Sequence, residues 1–298
     1  MTSRRLAAAV LLAGLAGSAS VLLHAQAQQR VVYASALGDK GAVVEGLGPS
    51  DFVVREDKVT REVLNVTSAS EPMQLALLVD NSQAAEPYVR DIREALSGFI
   101  RALGADPTGA KHQVAVITIG ERPTINTDYT TSLELAIKGS QRIFAIPATG
   151  AYLLDAIIET SKGIRKRASP HPVIVAVITS GVDLSDRPYQ TALEPLGASG
   201  AALHVLIIGH PLTGDQDRMM LLDQGTSRTG GRYDTVLTGT GLAPRMKQLA
   251  DELTHQYKVT YARPQTLIPP ERVTISAARP GLTIRGNAQI APAEGGRR

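Results

Sequence analysis

The chain has 298 residues, of which 43% are hydrophobic and 4% aromatic, and its formal net charge at pH 7 is +3. The hydrophobic fraction is sufficient for a packed core and excludes global disorder, whereas the scarcity of aromatic residues disfavours stacking platforms for single-stranded nucleic acid. The sequence contains no cysteine, which excludes disulfides and thiol catalysis.

The N-terminus has the pattern of a secretory signal peptide. Arg4 and Arg5 precede the apolar stretch Leu6–Leu23, and Ala25-Gln26-Ala27 supplies a small-residue cleavage site. We expect cleavage after Ala27 and export to the periplasm or the extracellular space; an uncleaved membrane anchor is the alternative. Removing residues 1–27 takes away two arginines and no acid, so the charge falls from +3 to +1 and gives no reason to expect a nucleic-acid partner.

Residues 28–70 are predicted to form a β-rich segment. Val31–Ala36 is rich in strand-forming residues, and Phe52–Asp57 predicts a strand that ends in a polar turn. Lys58–Val66 alternates as the return strand of a hairpin would, and Ser68–Pro72 is typical of a linker.

Strands and helices alternate in residues 71–256. The predicted strands are continuous apolar runs: Met73–Val79, His112–Ile119, Val173–Thr179 and Ala202–Ile208, with a short edge strand at Gly230–Tyr233. The predicted helices are Tyr88–Leu103, Leu153–Ile164, Pro188–Ala198, Asp215–Thr226 and Leu242–His255. This alternation predicts a Rossmann-like α/β domain with a mainly parallel central sheet flanked by helices.

The β character returns in residues 257–290, which are predicted to form a C-terminal β segment. Tyr257–Tyr261, Arg272–Ala277 and Leu282–Arg285 are the strand-like runs, and residues 291–298 are predicted to be a disordered tail. The two β-rich flanks are too small to form good cores alone. We therefore expect them to pack together as a small β domain beside the α/β domain.

Asp80 ends the first strand of the predicted α/β domain. A carboxylate in this position lies in the crevice where open α/β sheets bind ligands. Capping of the following helix is an equally ordinary role for an aspartate there. The choice depends on whether other loops at the same edge supply partner ligands.

Three stretches resemble the von Willebrand factor type A domain, and specifically the exported bacterial proteins related to it that are abundant in acidobacteria. They are Gly46–Val63, Leu75–Ala85 and Tyr257–Gly286, and they occur in the order found in that family. The resemblance implies a metal-ion-dependent adhesion site. In that site a D-x-S-x-S loop, a threonine and a further aspartate coordinate Mg²⁺, and one position stays open for a ligand carboxylate.

The first loop of this site is incomplete in the present sequence. Asp80 and Ser82 match the first two ligands, but Ala84 replaces the second serine. In the second loop Ala151 stands at the threonine position, and Thr149 lies two residues earlier.

The third loop departs as well. The family's T-D-G triplet is Thr179-Ser180-Gly181 here, so a hydroxyl replaces the carboxylate, although Asp183 is nearby. The resemblance thus implies a degenerate site, and we expect no cofactor. Retention of Mg²⁺ on Asp80, Ser82, Thr149 and Asp183 is the alternative, because Mg²⁺ can keep several waters and bind through one or two carboxylates.

The function implied is non-catalytic protein–protein recognition or adhesion, with an unknown protein partner. The expected partner-binding edge consists of Asp80, Asn81, Ser82, Thr149, Ser180 and Asp183. The sequence has no G-x-S-x-G elbow, phosphate loop or H-x-x-x-H pair. Two alternatives remain: a hydrolase that uses Asp80 and Asp183, and a structural subunit of an envelope assembly, which would expose an apolar patch away from this edge.

Overall fold

The computed structural model describes residues 28–210, 214–264, 270 and 272–288, so the predicted signal peptide and C-terminal tail lie outside the described residues. The described strands are β1 (Gln28–Leu37), β2 (Phe52–Glu56), β3 (Val59–Arg61), β4 (Val63–Ser68), β5 (Gln74–Val79), β6 (Gln113–Thr118), β7 (Thr124–Thr130), β8 (Pro172–Thr179), β9 (Ala202–Ile208), β10 (Tyr233–Val236), β11 (Tyr257–Arg263), β12 (Val273–Ala277) and β13 (Thr283–Ala288).

The described helices are α1 (Val89–Leu103), α2 (Leu133–Gln141), α3 (Leu153–Arg167), α4 (Gln190–Ser199), α5 (Gln216–Arg228) and α6 (Leu242–Thr254). Among them, none is long and apolar enough to cross a lipid bilayer.

A six-stranded sheet with the order β10-β9-β8-β5-β6-β7 forms the centre of the molecule. Its strands are parallel except for β7, which runs antiparallel to β6. Within this sheet the chain forms β5 first, adds β6 and β7 on one side of it, and then crosses to form β8 on the other side. This is the doubly wound order. The predicted fold class, a mainly parallel Rossmann-like sheet flanked by helices, is confirmed.

Both faces of β5 are buried. Leu75 and Leu77 pack with α1, α2 and α6 on one face, and Ala76 and Leu78 pack with α3, α4 and α5 on the other. A strand covered on both faces needs an unbroken apolar run, which is why this strand was predictable from sequence.

The flanking segments pair with each other in two antiparallel sheets. The first has the order β13-β1-β11-β4 and the second the order β12-β2-β3. β1 pairs with β11 and β13, and β2 pairs with β12, so each sheet combines strands from both ends of the chain. Val32, Phe52, Val259 and Tyr261 contribute to their shared core.

The structure corrects two predictions and adds two elements. The return strand predicted at Lys58–Val66 is two strands, since β3 pairs with β2 whereas β4 pairs with β11 in the other sheet. The edge strand predicted at Gly230–Tyr233 is Tyr233–Val236, because Gly230 has a positive φ of 75° that ends the preceding turn. β7 and α2 were not predicted.

Candidate functional site

The candidate site lies where β5 and β8 end side by side. The strand order reverses between these two neighbours, and the crevice outside the carboxyl ends of the strands is the usual ligand position in such sheets. Asp80 directly follows β5 and Thr179 is the last residue of β8, so the two residues lie next to each other. Sequence analysis had placed Asp80 here correctly but had not identified Thr179 as its partner.

Asp80 is 1% exposed, and its carboxylate is fully engaged inside the protein. Oδ1 accepts a hydrogen bond from the Ser82 N–H at 2.8 Å. Oδ2 accepts two bonds from Thr179, one from the N–H at 3.0 Å and one from the hydroxyl at 2.5 Å. The carboxylate therefore links the loop after β5 to the end of β8, and it is not available at the surface.

The two residues after Asp80 are also buried. The side-chain oxygen of Asn81 accepts a bond from the Gly120 N–H at 2.8 Å, and its nitrogen donates to the Phe144 carbonyl at 3.1 Å. The Ser82 hydroxyl is buried and has no hydrogen-bond partner among the described residues. Asn81 thus joins three loops of the carboxyl edge, whereas Ser82 retains an unused polar group.

Gly120 allows this close packing. A Cβ at this position would lie 2.6 Å from the Asn81 side-chain oxygen and 2.6 Å from the Ser82 nitrogen. A methyl group does not fit at that distance, so the loop after β6 can approach the Asn81 backbone because residue 120 has no side chain.

Thr149 lies beside the loop after β5 but directs its hydroxyl elsewhere. Its Oγ1 donates to the Ile146 carbonyl at 2.8 Å, within its own loop. Its carbonyl accepts a bond from the Gln83 N–H at 3.4 Å. The structure therefore brings Thr149 near Ser82 through its backbone, with the hydroxyl bonded locally.

Asp183 accepts a hydrogen bond from the first residue of α3. Its Oδ2 accepts a bond from the Leu153 N–H at 2.9 Å, and its Oδ1 accepts one from the Ser185 N–H at 2.9 Å. Burial raises the pKa of Asp183, against the lowering effect of these bonds. Asp80 accepts bonds from Ser82 and Thr179, whereas Asp183 accepts bonds from Leu153 and Ser185. Among the described residues the two carboxylates therefore share no hydrogen-bond donor.

Arg218 is a residue of this edge that sequence analysis did not identify. It lies in the first turn of α5, is 3% exposed, and donates from Nη1 to the Gly181 carbonyl at 2.7 Å. It also forms an ion pair with Asp215, whose Oδ2 lies 3.3 Å from Nε of Arg218. The spacing of these two residues at the start of a helix that follows a strand could have indicated a buried arginine at the carboxyl edge. Ser180, in the same loop as Gly181, is exposed.

The oxygen atoms of Asp80, Asp183 and Thr149 that could ligate Mg²⁺ have hydrogen-bond partners within the protein. The carboxylates of Asp80 and Asp183 accept bonds from N–H groups, and the Thr149 hydroxyl is bonded to a carbonyl. Arg218 adds a permanent positive charge to the loop that carries Ser180. Among the described residues, no group of three or more metal-ligating His, Asp or Glu side chains is assembled.

Four large apolar side chains are exposed in the loops at the carboxyl end of the sheet. Their exposed fractions are 64% for Phe144, 70% for Val182, 48% for Leu184 and 69% for Leu237. We call these four residues the apolar edge. Sequence analysis did not identify them, because a single apolar residue in a loop has no periodic pattern.

Comparison of the sequence with protein-family models finds no match, and comparison with curated protein sequences finds none. Similar solved structures exist. A von Willebrand factor type A protein from Catenulispora acidiphila has a TM-score of 0.50 at 10% identity over 88% of this chain and 74% of its own. BatB from Bacteroides thetaiotaomicron gives 0.43 at 14% identity, over 60% and 98% of the two chains.

The PilB minor pilin from Streptococcus sanguinis gives a TM-score of 0.45 at 9% identity, over 63% of each chain. The last two scores are too low to carry an argument. The similarity to the Catenulispora acidiphila protein agrees with the strand order and the two helix layers. The fold of this chain is that of a von Willebrand factor type A domain with two additional antiparallel sheets.

Proposed function

We propose that this protein is an exported, non-enzymatic recognition protein that binds a protein partner through the apolar edge without a metal ion. The observation that carries the proposal is the exposure of Phe144, Val182, Leu184 and Leu237 at the ligand-binding end of the fold. Contiguous exposed apolar groups mark interaction sites on soluble proteins, and these four side chains lie in loops at the same end of the sheet.

The energetics favour a protein partner. Full burial of a valine, leucine or phenylalanine side chain contributes about 1.5–3 kcal/mol. Three or four such groups covered together are sufficient for the core of a specific interface, which a small polar ligand could not cover. The expected partner-binding residues of the sequence analysis then act differently from one another. Ser180 is exposed and can contact a partner, while Asp80, Asn81 and Ser82 are buried and stabilise the loops.

The same contacts support metal independence. Each ligand carboxylate is already bonded to backbone N–H groups, so a cation would have to compete with bonds that hold the loops together. The hydrolase alternative meets the same difficulty, because a general base or metal ligand needs free lone pairs directed toward a substrate. Export rests on the pattern Arg4–Ala27, and N-terminal sequencing of the protein from the native host tests cleavage after Ala27.

Site-specific photo-crosslinking tests the proposal. A photoreactive phenylalanine analogue replaces Ser180 in the full chain, which is then exposed to envelope extract with Mg²⁺ or with EDTA. We expect the same partner to be captured in both, and the double variant Val182→Ser with Leu184→Ser to reduce capture at least tenfold.

The matched control is Val59→Ser with Leu64→Ser, since these residues of the flanking sheets are 54% and 41% exposed. Capture should be unaffected by this control. Equal loss in both double variants would contradict an interface at the carboxyl edge, and loss of capture in EDTA would contradict metal independence.

A further inference from the structure

A groove of about 620 Å³ runs along the outer face of α1 and reaches α2. Its lining includes Arg90, Arg93 and Arg101. Arg90 and Arg101 share one face of α1, because a spacing of eleven residues is about three helical turns, and Arg93 lies one turn from Arg90. We call this feature the arginine groove. It lies on a helix face, outside the crevice formed by the ends of β5 and β8.

The arginine groove has a fixed central group. Nε of Arg93 donates to the Ile143 carbonyl at 2.8 Å, and Nη2 donates to the same oxygen. Its guanidinium carbon also lies 4.4 Å from the centroid of the Phe144 ring. This cation–π contact and the bonds to one carbonyl hold the guanidinium in place without neutralising its charge.

The floor of the groove is polar and ordered. The Ser97 hydroxyl donates to the Arg93 carbonyl at 2.8 Å, and Gln141 of α2 donates to the Ser97 hydroxyl at 2.7 Å. These bonds join α1 to α2 along the groove, so its two walls keep their spacing. A segment that binds here meets a preformed site and needs little rearrangement of the protein.

Positive charge in the groove is uncompensated at two points. Arg90 and Arg101 are exposed, and neither forms an ion pair with a described residue. Glu86 and Glu94 also line the groove, which therefore carries three arginines and two glutamates. This mixed pattern suits a ligand with separate carboxylates and disfavours a uniform polyanion, which would be repelled by both glutamates.

We propose that the arginine groove binds an extended acidic segment of a protein, with carboxylates on Arg90 and Arg101 and an apolar side chain against the exposed Phe144 ring. Charge complementarity with the unpaired arginines selects the acidic residues, and the Phe144 ring, which contacts Arg93 of the groove, supplies apolar contact. The inference goes beyond the proposed function, because it concerns a groove on α1 that shares only Phe144 with the apolar edge, and its test does not need the partner of the apolar edge.

Fluorescence anisotropy tests the inference with a fluorescein-labelled peptide of repeated Glu-Glu-Leu triplets and the full chain. We expect saturable binding at low salt that weakens as salt is added. Arg90→Gln with Arg101→Gln should weaken binding about tenfold, the combined effect of two interfacial ion pairs. The same peptide with lysine in place of glutamate should not bind.

The matched control is Arg165→Gln with Lys166→Gln, which removes the same charge from exposed residues at the end of α3. Binding should stay within about twofold, since any loss there reflects net charge alone. Equal weakening by both double variants, or absence of saturable binding, would overturn the inference. Tighter binding of a heparin fragment that also depends on Arg90 and Arg101 would overturn it in favour of a polyanion site.

Discussion

The two ends of the central sheet use their buried polar side chains in different ways. At the amino end, histidine and glutamine side chains connect the α/β domain to the flanking sheet formed by β1 and its neighbours. At the carboxyl end, Asp80 and Asn81 bond the loops of their own domain, and apolar side chains face outward. Among the described residues, the flanking sheets contact the amino end, and apolar side chains of the loops are exposed at the carboxyl end.

His171 is the clearest contact at the amino end. Its ring stacks on Tyr33 of β1 with the centroids 3.9 Å apart, and its Nε2 donates to the Gln256 side-chain oxygen at 2.9 Å. Gln256 in turn donates to the Ser35 hydroxyl at 3.1 Å. Stacking and two consecutive hydrogen bonds therefore fix β1 against the start of β8.

Two further histidines near this end are held neutral by their surroundings. His112 accepts a bond from the Met73 N–H at Nδ1 and donates from Nε2 to Asp106, which uses both nitrogens of a neutral ring. His204 in β9 is 2% exposed, and neither ring nitrogen has a hydrogen-bond partner among the described residues. Burial lowers the pKa of His204 to about 3, and the nearby Arg232 and Arg285 act in the same direction.

If the proposed function is right, stability and recognition depend on opposite ends of the strands. A polar group that bonds across the amino end stabilises the contact between sheets. At the carboxyl end, buried polar side chains hydrogen-bond the backbone N–H groups of the loops. The exposed positions of these loops can therefore carry apolar residues. Substitutions at the two ends should therefore have different consequences.

The largest effect is expected for Asp80→Asn. The amide keeps one acceptor oxygen but loses the charge and directs an NH₂ toward N–H or O–H donors, so the variant should lose roughly 3–5 kcal/mol of unfolding free energy in urea. Ser82→Ala is the matched control and should leave stability unchanged or slightly raised, because the Ser82 hydroxyl has no partner among the described residues. A loss of more than about 1 kcal/mol in Ser82→Ala would show that this hydroxyl is bonded in solution.

The next effect is a pH dependence that originates at the amino end. Burial lowers the pKa of His171 to about 4 and that of His204 to about 3, below the ordinary value of about 6.5 for the unfolded chain. Because the unfolded state binds these protons first, their contribution is fully present above about pH 6.5 and is lost as the pH falls toward the folded values. As the pH falls from 6.5 to 5, each histidine should lower the unfolding free energy with a slope that rises from about 0.7 to about 1.4 kcal/mol per pH unit.

The variant His204→Leu should reduce this slope, since it removes one of the two groups. Urea unfolding at pH 7 and pH 5 measures the difference, and Lys162→Leu on the exposed side of α3 serves as the control. A slope that is the same in His204→Leu and in the parent protein would show that His204 is solvated in the folded state.

A smaller loss of stability is expected for Gly120→Ala. The new methyl group would overlap the Asn81 backbone and side chain, so the loop must shift at a cost of about 1–3 kcal/mol. Gly98→Ala on the exposed face of α1 has no atom within 4 Å of the added methyl group and should stabilise the helix slightly. Thermal unfolding of both variants compares them, and an unchanged melting temperature for Gly120→Ala would contradict the close approach of the two loops.

The smallest effect on stability is expected at the apolar edge. Val182→Ser with Leu184→Ser should change the unfolding free energy by at most about 0.5 kcal/mol, because both side chains are largely exposed. A loss of several kcal/mol in thermal or urea unfolding would mean that these residues belong to the core and are not free to bind a partner.

The central α/β domain could largely be predicted from sequence, and the reason is burial. β5 and β9 are covered on both faces, so their residues form apolar runs of strand length. β7 was missed because it is an edge strand of mostly polar residues, and α2 was missed because it is short and contains Gly139 and Ser140. Edge strands and short helices have weak apolar periodicity, so their sequences resemble loops.

The candidate site was predictable in position but not in its contacts. The end of an apolar strand placed Asp80 at the carboxyl edge, since the ends of parallel strands meet there. Its bonds to Thr179 join residues 99 positions apart in sequence, and the buried position of Arg218 depends on how α5 packs. Such contacts follow from strand register and helix packing, which no local pattern specifies.

Unfolding of the full chain in urea with Mg²⁺ and with EDTA tests the central claim, that Asp80 is a structural carboxylate beneath a metal-independent binding surface. We predict equal unfolding free energies in the two conditions, because the bonds to Ser82 and Thr179 already satisfy the carboxylate. A bound cation would stabilise the folded state by about 2.7 kcal/mol at a concentration one hundred times its dissociation constant. A stabilisation of that size in Mg²⁺, abolished in Asp80→Asn, would contradict the account.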